Sequence, residues 1–426
     1  MQQSLTEMGQ GALRGELRVP GDKSISHRAL LVAAANDRPT RIVNLNLGRD
    51  VRATAQALVA LGAQVRHDAE ETIVCGGRLV DPASTIDCMN SGSTARMLAG
   101  LCAGANLHAT LDGDASLRAR PMEPVAAQLR AFGARIETTS GRLPLRIEGT
   151  ATPQTRNFIL LSPSAQVKSA LLLAGLYARV PISITGDRGS RDHTERLLAS
   201  LGATIEYDAH QTTLREPPRF RDAPIEIPGD LSSAGSAIVA ATVSPGSEII
   251  VRDVGVNPTR TGLLEVLVRM GASIEQRNLR ELGGEPVADL LVRYAPLHGA
   301  VVDPALALRA VDEILLLAVA AAFAEGSTRI TGIGDLRMKE SDRIAAIEQL
   351  LDAVGIAYET LRDGIVVHGG RPRSREGVIL TRGDHRTAMA AAALAAGAGP
   401  LRVDDPDCID VSFPGFLERW RTLLPR

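Results

Sequence analysis

The chain has 426 residues, 45% of them hydrophobic and 23% charged, with a formal net charge of -2. That length supports two domains of ordinary size, each with its own core. The near-neutral charge argues against a nucleic-acid partner, and 3% aromatic residues leave few platforms for stacking bases. The opening residues, MQQSLTEMGQ, have no basic region followed by an apolar core, so no leader peptide is read there. The longest uncharged apolar runs, ILLLAVAAAFA and TAMAAAALAAGAG, fall short of the roughly 20 residues a membrane span needs, so no membrane partner is expected. Cys75, Cys88, Cys102 and Cys408 form no CxxC pair and have no histidines at zinc spacing, which reads as reduced thiols in a cytoplasmic chain without a metal.

The first polar junction, VPGDKSISHRALLVAAA from Val19 to Ala35, joins a short strand end to a predicted helix. Two readings fit it. In one, Ser24 or Ser26 is the N-cap while Lys23, His27 and Arg28 face water. In the other, the free N–H groups of the helix start take a phosphate or carboxylate, and Lys23 and Arg28 close around it. The glycine spacing of a Walker A loop is absent.

A short pattern then recurs: ALVALGAQV, QLRAFGARI, LLASLGATI, VLVRMGASI and, more weakly, LLDAVGIAY. Its glycines are Gly62, Gly133, Gly202, Gly271 and Gly355. Each predicts an amphipathic helix, a left-handed cap and a following strand. A period near 70 residues suits small α/β units, five or six of which divide into two domains of three. SALLLAGLYA and DEILLLAVAAAFA are apolar nearly all round, so helices rather than strands are expected inside. A last helix near FPGFLERWRTLL ends a sixth unit with no room for its final strand. The crossovers are placed in the first twenty residues and in PGDLSSAGS, giving one domain over 20–235 and another over 1–19 and 236–426.

Further polar clusters sit at other predicted helix starts. In CMNSGSTARMLAG, Asn90, Ser91 and Gly92 make a turn, Ser93 and Thr94 are able to cap, and Arg96 falls in the first helical turn. A salt bridge or a bound anion would each explain an arginine placed against the helix dipole. Arg118 and Arg120 follow, with Pro121 biasing Arg120 toward extended backbone. Ser164, Gln166 and Lys168 precede a very apolar helix, and Ser190, Arg191 and His193 open another. Asp312 and Glu313 lead into an apolar helix, either as caps or as carboxylates at a cleft. Lys339 and Arg343 are four apart and would share a helical face, as a solvated pair or toward a cleft that Glu340 also faces. His385 and Arg386 open an alanine-rich helix. Together these suit a substrate carrying several negative charges, with Asp312, Glu340 and Lys23 available to move protons. No nucleophilic triad or dinucleotide fingerprint competes.

These motifs resemble the 5-enolpyruvylshikimate-3-phosphate synthase family. PGDKSISHRAL, NSGSTARMLAGLCAG, SLRARPM, SAQVKSALLLAGLYA, SRDHTERLL, PGDLSSA, NPTRTG, EPVADL, MKESDRI, GDHRTAM and SFPGF occur in the family's order over essentially the whole chain. The resemblance implies an inside-out α/β fold of two similar domains, each of three βαβαββ-type units packed around buried helices. It implies transfer of the enolpyruvyl group of phosphoenolpyruvate to the 5-hydroxyl of shikimate 3-phosphate, in the pathway to chorismate and the aromatic amino acids. A monomer without cofactor or metal is expected. By motif match, Lys23, Ser24, Arg28, Ser164, Ala165, Gln166, Ser190, Arg191, Asp312 and Lys339 would hold shikimate 3-phosphate, Ala165 standing where many members have a second serine. Lys23, Gly92, Arg96, Arg120, Lys339, Arg343, His385 and Arg386 would hold phosphoenolpyruvate. Asp312 would be the base, and Lys23 and Glu340 the groups that protonate the methylene carbon. Glyphosate competes for the phosphoenolpyruvate site in sensitive members, and resistant ones often have alanine at the place of Gly92.

The chain departs from the family pattern at Val411, where many bacterial members have lysine, at Glu123-Pro124, and in lacking prolines around Asp312. The alternatives are a UDP-N-acetylglucosamine enolpyruvyl transferase, whose loop cysteine is replaced here by Ala115, and a non-catalytic ligand-binding homologue.

Overall fold

The computed structural model describes residues 6–68, 71–220 and 223–424. Residues 1–5, on which part of the leader reading rests, lie outside the described residues. The chain forms two compact units. The first consists of Gly21–Pro228 with Glu281–Glu285; the second holds the residues up to Pro20, Gly229–Arg280 and the residues from Pro286 onward.

One plan repeats through both. In the first unit, strands Ile86–Asp87, His108–Asp112, Arg142–Glu148 and Arg135–Thr139 lie side by side in that order. The first pair is parallel and the others antiparallel, so the last two strands form a hairpin returned against the second. Asn157–Ile159, Ile182–Thr185, Gln211–Glu216 and Thr204–Tyr207 repeat the arrangement. So do Thr40–Val43, Glu71–Cys75 and Gln64–His67, but their first strand, Ile225–Glu226, comes from the far end of the unit's main segment. The second unit builds two such sheets, with Arg14–Arg18 serving as first strand beside Glu248–Gly255 in one of them. Its third sheet has three strands: Val378–Ile379, Leu401–Val403 and Thr6–Met8. Thr6–Met8 therefore takes the place that the sixth unit, ending in helix Phe416–Leu423, was expected to leave empty. Among the described residues the six sheets stay separate and do not close into a barrel.

The repeated glycines are the hinges of this plan. Gly62, Gly133, Gly202, Gly271 and Gly355 have φ of 93°, 116°, 87°, 101° and 72°, each just after a helix and just before a strand. Only a residue without Cβ reaches that conformation without strain, which is why the signal is so regular in the sequence.

Helices fill both interiors. Lys23–Ala33, Gly92–Gly104 and Ala165–Ala178 carry most of the first core, and Leu231–Val243, Ile314–Ala322 and His385–Ala398 the second. Their polar residues cluster at the N-termini, so the apolar remainder can be surrounded on every side. Gly92–Gly104 and Ala165–Ala178 approach so closely that a Cβ on Gly100 or Gly104 would lie 2.1 Å from the carbonyl oxygen of Ala170 or Ala174. Each large aliphatic side chain removed from water here contributes roughly 1.5–3 kcal/mol. That leaves the helix N-termini as the polar ends of otherwise apolar rods. Among the described residues no helix is long and apolar enough to cross a membrane, and the four cysteines are free thiols.

Candidate active site

In the first unit, helix Lys23–Ala33 is capped by Asp22, whose carboxylate accepts from Ile25 N at 2.9 Å. The sequence offered Ser24 or Ser26; Ser26 Oγ instead accepts from Asn46 N, and an aspartate one residue upstream of the helix wins the cap. Lys23 Nζ reaches Asp50 Oδ2 at 2.8 Å. Neither His27 nor Arg28 faces water. Arg28 donates from Nε to Thr194 Oγ1, from Nη1 to Ser24 O and from Nη2 to Ser169 Oγ, each at 2.8 Å. Three of its five N–H groups are thus committed to these partners. Burial brings its pKa down to about 10, which leaves it charged at neutral pH. His27 Nδ1 meets Thr54 Oγ1 at 2.7 Å, and burial beside Lys23 and Arg28 holds its pKa well below the usual histidine value.

Ser91 caps helix Gly92–Gly104 by accepting from Thr94 N at 3.1 Å, so neither Ser93 nor Thr94 is the cap. Arg96 lies in the second turn rather than the first. It donates to Gln166 Oε1 at 2.7 Å and to Pro121 O at 3.0 Å. Gln166 passes the link on to Ser93 Oγ at 2.9 Å. Ser164 caps the next helix through Val167 N, Ala165 is its first residue, and Gln166 follows. Arg120 is buried and donates to Asn90 Oδ1 and Ser116 Oγ. A Cβ on Gly92 would stand 2.6 Å from Arg96 Nη1 and 3.5 Å from Arg120 Nη1. Two helix starts and two arginines therefore converge on one backbone position. The wall is cationic and rich in N–H donors, suited to a carboxylate or phosphate.

Lys168 does not belong to that wall. It lies inside helix Ala165–Ala178, buried, with Nζ 2.7 Å from both Asp187 Oδ2 and Glu195 Oε1. Ser190 is buried and its hydroxyl donates to Asp187 Oδ2 at 3.0 Å; Arg191 next to it is half-buried. His193, which the sequence left as an ordinary surface histidine at that helix start, is instead buried against Glu285 at 2.7 Å.

The second unit presents a denser cluster. Asp312 precedes helix Ile314–Ala322, and its carboxylate has Arg386 Nη2 at 3.4 Å, Arg343 Nη1 at 3.7 Å and Arg260 Nη1 at 3.8 Å. Its carbonyl oxygen accepts from Arg386 Nη1 at 2.8 Å. Glu313 is fully buried beside it, bonded to Ser232 Oγ and, at 2.9 Å, to Arg260. Arg343 is buried as well and bonds Asp384 at 2.9 Å and Glu340 at 2.8 Å. Burial alone would lower the Arg343 pKa; Asp384, Glu340 and Asp312 overcome it and hold the guanidinium above its ordinary value. Arg343 in turn keeps Asp384 below the usual carboxylate range despite burial.

Lys339 and Glu340 are not on a helical face with Arg343. A 3-10 helix spans Gly334–Met338, both residues lie in the bend after it, and the α-helix begins only at Arg343 with Asp342 as cap. The bend brings Glu340 back onto Arg343. His385 is buried next to Asp384, its Nδ1 3.9 Å from that carboxylate. Sequence reasoning missed the counter-ions Asp50, Asp187, Glu195 and Asp384. Only Asp384 carried a local signal, as an aspartate immediately before a predicted helix.

The sequence pattern of the EPSP synthase (3-phosphoshikimate 1-carboxyvinyltransferase) family matches residues 8–420. A 3-phosphoshikimate 1-carboxyvinyltransferase of Xanthomonas axonopodis pv. citri (strain 306) is 46% identical over 411 residues, which cover 95% of this chain and 93% of that protein. Another, from Xanthomonas campestris pv. campestris (strain B100), is 46% identical with the same coverage. The crystal structure of EPSP synthase from Acinetobacter baumannii superposes with a TM-score of 0.84 at 35% identity, covering 98% of each chain. The enolpyruvyl transferase NikO from Streptomyces tendae shares the fold, with a TM-score of 0.77 at 18% identity over 98% of this chain and 97% of that one.

Proposed function

We propose, from the premise that this chain belongs to the EPSP synthase family, a division of labour among the clusters described above. The enzyme transfers the enolpyruvyl group of phosphoenolpyruvate to shikimate 3-phosphate and releases inorganic phosphate. In our reading Ser24, Arg28, Ser164, Gln166, Ser190 and Arg191 hold shikimate 3-phosphate, with Ala165 contributing backbone but no hydroxyl. Lys23, Gly92, Arg96, Arg120, Arg343, His385 and Arg386 hold phosphoenolpyruvate, and Lys339 reaches toward both substrates. In this reading the two compact units are the two enolpyruvyl transferase domains, the free thiols fit a cytoplasmic enzyme, and the enzyme acts as a monomer.

The supporting observation is the setting of Asp312, a partly exposed carboxylate with three guanidinium groups within 3.8 Å. A carboxylate so placed sits beside cations that attract the reacting anion. Asp312 takes the proton of the 5-hydroxyl as its oxygen bonds to C2 of phosphoenolpyruvate. Lys23 or Glu340 delivers a proton to C3, giving a tetrahedral intermediate. Loss of a C3 proton then restores the double bond as the C2–O bond to phosphate breaks. The arginines stabilise charge on the carboxylate and the departing phosphate.

Phosphate release is measured with shikimate 3-phosphate and, separately, UDP-N-acetylglucosamine as acceptor. Release with shikimate 3-phosphate alone is expected; release with only the nucleotide sugar overturns the reading. Asp312→Asn keeps binding of shikimate 3-phosphate and loses roughly 10²-fold or more in turnover. A folded variant within a few-fold of the parent removes Asp312 from its role.

A further inference from the structure

We propose that Lys168 sets the enzyme's preference for the phosphate of shikimate 3-phosphate, acting through Asp187 and Glu195 without touching the ligand. The proposal rests on the reading of Ser190, Arg191 and Arg28 as phosphate-holding groups.

In the same stretch the family resemblance implies ligand contacts for Ser164 and Gln166 and none for Lys168. Its ammonium is buried and sits 2.7 Å from each of two carboxylates that are themselves almost completely buried. Both carboxylates lead back to the phosphate-holding groups. Asp187 Oδ2 accepts at once from Lys168 Nζ at 2.7 Å and from Ser190 Oγ at 3.0 Å. Asp187 Oδ1 accepts from the backbone N–H of Arg188 at 3.0 Å and of Ser190 at 3.3 Å, so this one side chain shapes the loop that presents Ser190 and Arg191. Glu195 follows Thr194, the acceptor of Arg28 Nε, and Lys168 precedes Ser169, the acceptor of Arg28 Nη2. Ser169 and Thr194 also bond each other at 2.7 Å.

Charge gives this geometry its consequence. Within the linked set, Arg28 and Arg191 bring two positive charges and Asp187 and Glu195 two negative ones, so without Lys168 these four groups sum to zero. With it, the balance is one positive charge. Burial weakens the ammonium, but its two carboxylates more than compensate and hold the Lys168 pKa above the ordinary lysine value, so the charge is permanent. A buried charge is little screened by salt and acts over several ångströms. Shikimate, lacking the dianionic phosphate, depends on this charge much less.

Calorimetric titration with shikimate 3-phosphate and with shikimate separates the cases. Lys168→Met is expected to weaken shikimate 3-phosphate by about tenfold while shikimate stays within about twofold. Glu195→Gln, which removes one opposing carboxylate and leaves Lys168 in place, is expected to tighten shikimate 3-phosphate several-fold. Lys168→Met/Glu195→Gln carries the parent's net charge and is expected to return to within about threefold of it. Equal weakening of both ligands by Lys168→Met, or Glu195→Gln leaving their ratio unchanged, overturns the proposal and reduces Lys168 to packing. Should Lys168→Met fail to fold, Glu195→Gln and the double variant decide alone. A parent that binds shikimate as tightly as shikimate 3-phosphate instead overturns the phosphate reading of Ser190 and Arg191, and the proposal with it.

Discussion

Lys23 Nζ is 2.8 Å from Asp50 Oδ2, and both side chains are almost withdrawn from water. Asp50 lies in the first turn of helix Arg49–Ala60, where the helix dipole also favours its negative charge. The pair fixes the ammonium at the helix start and fills one of its three donor positions.

Asp50→Asn keeps the shape and removes the charge. If Lys23 is the proton donor of our proposal, turnover is expected to fall about tenfold or more, since a donor held out of place loses part of the 10²–10⁴ that such a group contributes. Thermal stability should change little beside that. Single-turnover phosphate release measures the effect; an unchanged rate means Lys23 is positioned by something else.

Gly92→Ala tests the wall we propose for phosphoenolpyruvate. The new Cβ would meet Arg96 Nη1 at 2.6 Å, the mobile end of a side chain, so the arginine gives way and the fold survives. Arg96 also holds Gln166 and the Pro121 carbonyl, and its displacement reshapes the wall. Overpacking strain of about 1–3 kcal/mol falls hardest on the longer ligand. The parent is expected to be inhibited by glyphosate competitively against phosphoenolpyruvate. In the variant, the inhibition constant should rise by a larger factor than the KM for phosphoenolpyruvate. Equal changes in both would refute a length-dependent pocket.

His27 makes stability depend on pH. Its folded pKa is depressed, first by burial and then by Lys23 and Arg28, so the unfolded chain takes up the proton first on acidification. The contribution is present above the unfolded value of about 6.5 and is lost as pH falls below it, with a slope near 1.4 kcal/mol per pH unit. Urea unfolding of the parent and of His27→Gln at pH 7.5, 6 and 5 should show the parent losing stability faster. Parallel losses would mean that His27 does not govern this range.

Gly100→Ala should destabilise the first unit by about 2–3 kcal/mol, because the added methyl meets a backbone carbonyl at 2.1 Å and neither helix can yield locally. Denaturant midpoints report it. A shift below a few tenths of a molar in urea would show that the two helices separate at little cost.

How much of this was readable in advance follows from the range of each interaction. The five repeated glycines announce helix–turn–strand units because a left-handed cap is decided within three or four residues. The buried helices are visible for the same reason: an apolar circumference is a local property. Lys339 misled because four-residue spacing suggests one helical face, and nothing nearby marks the 3-10 turn and bend that separate it from Arg343. Lys168 looked like a ligand for an anion because its counter-ions lie 19 and 27 residues away and meet it only through packing. The family motifs located the cations, while the carboxylates that orient those cations come from outside the same motifs or pass unmarked within them, as Asp384 does in GDHRTAM.

The sheet completed by Thr6–Met8 has a bearing on how the molecule is made. During synthesis the stretch that becomes this strand leaves the ribosome nearly four hundred residues before Leu401–Val403, its partner. Arg14–Arg18 likewise waits for Glu248–Gly255. Nearly all of the first unit, by contrast, is one uninterrupted stretch, able to collapse while the rest is still being translated. The nascent chain thus carries two unpaired strands, one with the buried Met8 and the other with the buried Leu17, through most of its elongation. Their exposure is the period in which this protein is open to mispairing or to capture by a chaperone.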